Sequence, residues 1–320
     1  MQRISWLAAG GLASYGAARL AAVDRCRRFE AVTVPLLAFT PHAAAAALLG
    51  SLLLRRRGPA AVAAFTGTAL AAVVLPRATG RPQPPAGGPV LRVITANLLK
   101  GRASAEAVVG LVRRHGPDVL FLQELTEPAV SRLKQAGLTD LLPHELTDLA
   151  GPSARGRGIY ARFPLTEGLV LRPAEAGQLT ARLELPGGQR ADLVCVHAPP
   201  PRPPWSPANT ARWRSELAAL PAPAGSAADP PRVLAGDFNA SVDHACFRRV
   251  LRLGHVDAAA RLGRGLVPTW GPGPWGRPAL LTIDHVLVDP GCAVRAVSVY
   301  PLPGSDHRAV YAELRLPSAR

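Results

Sequence analysis

The stretch Arg232-Val233-Leu234-Ala235-Gly236-Asp237-Phe238-Asn239-Ala240 decides how this chain is read. Val233-Leu234-Ala235 is a short apolar run of the kind that forms a buried strand. Gly236 permits a tight turn where that strand ends. Asp237 and Asn239 are two residues apart, so a continuing strand would aim both side chains at the same face. A carboxylate beside a carboxamide can hold a water: the carboxylate takes a proton and the amide fixes the geometry. The same pair can also be a turn that only satisfies its own backbone.

Outward from this stretch, six further clusters share its character. Upstream are Thr95-Ala96-Asn97-Leu98, Gln123-Glu124-Leu125 and Val196-His197-Ala198-Pro199. Downstream are Thr269-Trp270, Ile283-Asp284-His285-Val286 and Gly304-Ser305-Asp306-His307-Arg308. Most close a short apolar run. The ordered set resembles the endonuclease/exonuclease/phosphatase superfamily of Mg²⁺-dependent phosphoesterases, over roughly residues 90–316.

That resemblance implies a set of roles. Asn97, Glu124 and Asp306 form the metal site, for Mg²⁺ with Mn²⁺ as a substitute. Asp237 activates the attacking water, and Asn239 positions it and contacts phosphate. Asp284 and His307 are a carboxylate–histidine pair, His197 contacts phosphate, and Trp270 shapes the pocket wall. The chemistry is coherent in itself. Attack of water at phosphorus concentrates negative charge on oxygen, which calls for a cation, an oriented water and hydrogen-bond donors. His285 follows Asp284 on a strand and should face the other way, as a structural residue.

The elements between these clusters alternate short strands with helices from Val90 onward. Ser104 caps a helix over 105–114 that Gly116-Pro117 stops. Further helices are expected over 127–136, from Ser206-Pro207 to Leu220, and over 243–253. Pro186-Gly187-Gly188 reads as the turn of a hairpin between 179–185 and 190–197. The stretch 137–156 gives no clear pattern. Many strands with helices between some of them predict an α+β fold with two packed sheets. The family implies a four-layered α/β/β/α sandwich, the two sheets flanked by helices.

The first 75 residues differ in kind. Residues 4–23 are apolar apart from Arg19, residues 31–54 contain no Asp, Glu, Lys or Arg, and residues 58–75 are again apolar. A bilayer span needs about 20 apolar residues. The expectation is therefore an anchor of about three transmembrane helices over 1–75, the middle one the clearest; the first could instead be a cleaved signal peptide. Residues 76–89 hold five prolines and three glycines and read as a linker. The catalytic domain would then span 90–320.

Charge and cysteine content narrow the classes further. Of the formal net charge of +15, the first 89 residues carry ten arginines against Asp24 and Glu30. The rest is a diffuse basic surplus that suits a phosphate-bearing substrate without forming a dense stripe for nucleic acid. Cys26, Cys195, Cys246 and Cys292 make no C-x-x-C and imply no disulfide framework. Charge flanking the three apolar runs does not set the topology.

The expected function is a membrane-anchored, metal-dependent phosphoesterase, resembling the membrane branch of the family that includes teicoplanin-resistance-type proteins. That branch implies the plasma membrane, a multi-pass anchor, an extracytoplasmic catalytic domain and a lipid-linked cell-envelope phosphate or pyrophosphate as substrate. The bilayer is then a partner, and no protein partner is implied. The alternatives are a membrane-tethered nuclease acting on DNA or RNA, and an inactive membrane interaction module.

Overall fold

Strand order follows from where the chain can cross over. The computed structural model describes residues 2–318 except 27, 150–155, 172–176, 202–205, 227–228 and 272–277. Four helices come first: α1 (Gln2–Leu20), α2 (Glu30–Leu37), α3 (Thr40–Leu53) and α4 (Arg57–Val74). Next come β1 (Val90–Asn97), α5 (Ala105–His115), β2 (Val119–Gln123), α6 (Glu127–Gln135), α7 (Leu138–Leu141), β3 (His144–Asp148) and β4 (Arg157–Ala161). The second half holds β5 (Leu165–Leu171), β6 (Gln178–Glu184), β7 (Arg190–His197), α8 (Pro207–Ala218), β8 (Arg232–Asp237) and α9 (Ala245–Arg252). It closes with β9 (Val256–Asp257), α10 (Ala258–Arg261), β10 (Asp284–Val288), β11 (Ala293–Pro301) and β12 (Arg308–Arg315).

Two six-stranded sheets result, ordered β11-β12-β1-β2-β4-β3 and β5-β6-β7-β8-β10-β9. Each has one parallel pair, β1–β2 in the first and β7–β8 in the second. Parallel neighbours need a crossover, which α5 and α8 supply. The other pairs are antiparallel; β3–β4, β5–β6, β6–β7 and β11–β12 join sequence neighbours, while β12 returns from the far end of the chain to pair with β1. So the C-terminal ends of β1, β2, β7 and β8 lie on one rim, beside the N-terminal ends of β10 and β12.

Alternation along the strands builds three apolar layers. Leu91, Val93, Val119, Phe121, Leu193, Cys195, Val233, Ala235, Val286 and Val310 fill the space between the sheets. Ile94, Ala96, Leu120 and Leu122 face outward onto α5 and α6, through Val108, Val112 and Leu133. Val194, Val196 and Leu234 face the other side, onto Trp213 and Leu217 of α8 and Phe247 and Val250 of α9. A fully buried Phe such as Phe121 contributes roughly 1.5–3 kcal/mol. The expected two-sheet sandwich flanked by helices is therefore present. The unpatterned stretch 137–156 supplies α7 and the edge strand β3, whose alternating half-exposed residues carry little apolar signal.

The expected helix starts hold. Ser104 Oγ accepts from the Ala107 amide and Ser206 Oγ from the Asn209 amide. Gly236 corrects the reading of a turn. It remains inside β8, and an added Cβ would overlap the Val196 carbonyl. The glycine is there so that β7 can lie close. The chain turns at Asn239 instead, with φ of 48°.

The N-terminal part also departs from expectation. The run 31–54 is not one helix but two, α2 and α3. Pro41 has no N–H to give the Leu37 carbonyl, and the Thr40 hydroxyl donates to that oxygen instead, at 2.7 Å. Among the described residues one helix, Arg57–Arg77, is long and apolar enough to cross a membrane. The Pro-rich stretch 76–89 runs along the sandwich. The Arg81 amide donates to the Arg261 carbonyl, Gln83 Oε1 accepts from the Val294 amide, and the Gly88 amide donates to the Leu316 carbonyl.

The helices before it dock onto the outer layer around α9. Asp243 is fully buried and accepts from Arg19 Nε at 2.8 Å and Arg77 Nη1 at 2.7 Å. Asp24 Oδ2 accepts from the Ala245 amide at the start of α9. Val34 of α2 is 1% exposed and belongs to the same apolar layer as Trp213.

Candidate active site

The rim shared by both sheets collects the motif residues. Asn97 ends β1, Glu124 follows β2, His197 ends β7, Asp237 ends β8, Asp284 begins β10 and His307 immediately precedes β12. All but Glu124 are deeply buried, and all lie at one end of the sandwich.

Asp237 is the hub. Its Oδ2 accepts from Asn97 Nδ2 and Asn239 Nδ2, each at 3.0 Å, and its Oδ1 accepts from the Asn239 amide at 2.8 Å. Strand geometry does not persist past Asp237, so Asn239 meets it through the left-handed turn rather than along a shared face. Asn239 Nδ2 also donates to the Ala198 carbonyl at 2.8 Å, which ties the turn to the end of β7. Burial pushes the Asp237 carboxyl up to about 7, against the opposing pull of His307.

His307 stands between carboxylates. Its Nδ1 donates to Asp284 at 3.0 Å, and its Nε2 lies 3.7 Å from Asp237 Oδ2 and 3.9 Å from Asp306 Oδ1. Burial would lower its pKa, but Asp284 first and Asp237 next outweigh it and raise the imidazole to about 10. The ring is protonated at neutral pH. Asp284 is held in turn, because Thr269 Oγ1 accepts from its amide and from that of Ile283. Ser305 Oγ donates to the Asn97 carbonyl and accepts from the His307 amide, joining β1 to the start of β12.

Glu124 has φ of 54°, a left-handed backbone that turns its side chain off β2. Its Oε2 accepts from the Lys100 amide at 2.8 Å, and its Oε1 lies 3.4 Å from Asn97 Nδ2 and 3.9 Å from His197 Nε2. The His197 amide donates to Gln178 Oε1, and its Nε2 is 4.0 Å from Asp237. Trp270 Nε1 donates to Asp306 Oδ2 at 3.0 Å. Trp275, five residues further on, lies outside the described residues. His285 is structural as expected, its Nδ1 donating to Asp257 at 2.7 Å.

The donor set fits a hard divalent cation. Asp306 Oδ1 is buried without a hydrogen-bond partner, an oxygen still available as a ligand. Glu124, Asp237 and Asp306 open into the same pocket of about 430 Å³. Asp237, Asp284 and His307 also have ligand atoms within 4.8 Å of one another. Since His307 Nδ1 is engaged by Asp284, that trio reads as an ion-paired relay rather than a ligand cage. Asn97 turns its amide nitrogen to the carboxylates and its oxygen to the Leu99 amide; turned over, the oxygen would join Glu124.

Thr269 and Ser305 lie inside the motif clusters but carried no expected role, and Gln178 was not anticipated from sequence; all three position others. Lys100 lines the pocket three residues after Asn97, a proximity that could have flagged it. Val34, Pro35, Ala38 and Phe39 line it too, from a segment read only as membrane anchor.

Carboxylates massed around one protonated imidazole can bind a cation and a phosphate together, and they mark this chain as a phosphoester hydrolase. The chain belongs to the Endonuclease/Exonuclease/phosphatase family, whose model matches residues 94–307. No curated protein sequence matches it. Similar solved structures include an endonuclease/exonuclease/phosphatase from Beutenbergia cavernae, 22% identical over 72% of each chain with a TM-score of 0.53. A humanized D. rerio TDP2 is 20% identical, covering 70% of this chain and 98% of that one, with a TM-score of 0.55. D. rerio TDP2 complexed with a single-strand DNA product is 18% identical over the same shares, with a TM-score of 0.54. These likenesses are likenesses of fold.

Proposed function

We propose that this chain is a membrane-held, metal-dependent phosphoesterase acting on a phosphate ester or pyrophosphate carried by a cell-envelope lipid, as in the membrane branch that includes teicoplanin-resistance-type proteins. Residues 1–75 are its anchor, 76–89 the connection and 90–320 the catalytic domain. The observation that carries the lipid half is the distribution of exposed apolar bulk. Among the described residues the exposed large hydrophobic side chains lie in the first 75 residues, with Leu253 and Val267 the exceptions. Leu52 is 82% exposed and Phe65 78%. In water such a surface favours aggregation, and a bilayer removes the cost.

In this reading Asp237 takes the proton of the attacking water, with Asn97 and Asn239 fixing its position. His307, kept protonated by Asp284, donates to a phosphoryl oxygen, and His197 and Asn239 contact the phosphate. Trp270 walls the pocket and holds Asp306. Asn97, Glu124 and Asp306 hold Mg²⁺, for which Mn²⁺ can substitute. The bound ion supplies positive charge against the charge developing on phosphoryl oxygen.

The test is a substrate panel on full-length protein reconstituted in liposomes with Mg²⁺: a prenyl-type lipid pyrophosphate, a phosphoinositide, abasic DNA and single-stranded RNA. The lipid pyrophosphate should be hydrolysed fastest at equal phosphate concentration. A tenfold preference for DNA or RNA would replace the lipid reading with the nuclease one.

A further inference from the structure

The catalytic pocket has two chemically different walls. One is the polar rim that carries Glu124, Asp237 and His307. The other is apolar and includes Val34, Pro35, Ala38 and Phe39, from α2 and the residues just after it. This second wall lies outside residues 94–307, so the catalytic domain is completed by a segment that its family pattern does not contain.

The wall is held rigidly. Val34 is packed with Trp213 and Phe247, and its carbonyl accepts from His244 Nε2 at 2.8 Å. The Ser241 amide donates to the other nitrogen of that ring, which sets the tautomer. Glu30, at the first turn of α2, pairs with Arg214 of α8. Yet the same segment leaves apolar side chains open. Phe29, Val32, Leu36 and Phe39 are between 36% and 62% exposed, at helical spacings of three and four residues. Phe39 belongs to both sets: it borders the pocket and ends this exposed row. An apolar track therefore runs out of the catalytic pocket along α2.

We propose that α2 and Phe39 form a hydrocarbon subsite, in which the aliphatic chain of a phosphate-bearing amphiphile lies while its phosphate sits against Asp237 and His307. The inference rests on the phosphoesterase reading above and names what that site selects. A polynucleotide has no aliphatic chain to place there. A phosphate on a long hydrocarbon does, and each methylene removed from water strengthens its binding.

The experiment uses full-length protein in detergent and a series of p-nitrophenyl alkyl phosphodiesters, methyl to octyl, each below its aggregation threshold. With wild-type protein kcat/KM should rise at least tenfold from methyl to octyl. In Phe39→Ser the rise should fall to less than threefold, and Phe39→Leu should restore it. Competition by the corresponding alkyl monophosphates against the methyl diester, on wild-type protein alone, should show the same gain with chain length and needs no variant to fold. Turnover with a flat chain-length profile overturns the subsite while leaving the phosphoesterase reading intact. If only a prenyl-type lipid pyrophosphate turns over, the alkyl monophosphates compete against it instead and a flat chain-length profile overturns the subsite; no turnover of any diester or of that pyrophosphate overturns both.

Discussion

Asp237 and Asp284 are direct partners in the antiparallel register of β8 and β10. Two carboxylates in that relation would repel. His307 resolves the repulsion by reaching in from the start of β12, with Nδ1 on Asp284 and Nε2 toward Asp237. One imidazolium thus serves two carboxylates that face different tasks: Asp284 fixes the ring, and Asp237 is left facing the pocket.

Asp237→Asn keeps the shape and most hydrogen bonds but loses the base. Hydrolysis of a soluble phosphodiester should fall at least ~10²-fold, with an unchanged circular dichroism spectrum. A variant above a tenth of wild-type rate would assign water activation to another group.

Asp284→Ala removes the strongest influence that keeps His307 protonated. The wild-type ring, raised to about 10, is charged at neutral pH and loses its proton only as pH rises through that value. In the variant the midpoint should move down, and the alkaline limb of activity with it. An NMR titration of the His307 ring checks this; an unmoved midpoint would mean that the two are not coupled.

Chelation should abolish activity and Mg²⁺ should restore it. Glu124→Gln should raise the Mg²⁺ concentration needed for half-maximal rate by at least tenfold, since a carboxylate is lost from the ligand set. Full turnover in excess EDTA would exclude the metal.

Asp243 makes a stability prediction with a defined sign. Burial alone would raise its pKa, but Arg77, then Arg19, hold it below the usual carboxylate range. Its contribution is therefore present above the unfolded value of about 3.9 and is lost as pH falls through the lower folded value. Asp243→Asn leaves two buried cations without their partner and should cost about 3 kcal/mol or more near neutral pH. The gap to wild type in thermal unfolding should close as pH drops below about 4. A constant gap across that range would show that the carboxylate's charge is not what matters.

The active site was legible because its residues are local to strong signals. Asn97, His197 and Asp237 each end an apolar run, and strand ends are where the backbone can turn a side chain into a cleft. Their gathering at one rim needs only the two parallel pairs. What escaped was either carried by a single local hydrogen bond or set by distant neighbours. The break in the run 31–54 turns on one missing amide at Pro41 and a hydroxyl at Thr40 that substitutes for it. The role of Gly236 is set by β7, 40 residues away in sequence, not by its neighbours. The wall from α2 is invisible in composition, because Val34 and Pro35 look the same facing lipid, core or pocket. β3 has too few apolar residues to stand out.

The Asp243 contact also orders the making of the protein. Arg19 and Arg77 lie 224 and 166 residues before the carboxylate that neutralises them. A ribosome delivers the N-terminal helices long before it delivers their counterion. Until then two cations destined for burial stay hydrated, and α2 has no Phe247 to rest on. The apolar wall of the pocket thus waits for α9, and the polar rim waits longer, for Asp284 and His307, so nascent chains stopped before residue 243 should hold the helices without the pocket. Hydrolytic competence then appears only once synthesis has passed His307, so an unfinished chain carries no complete site.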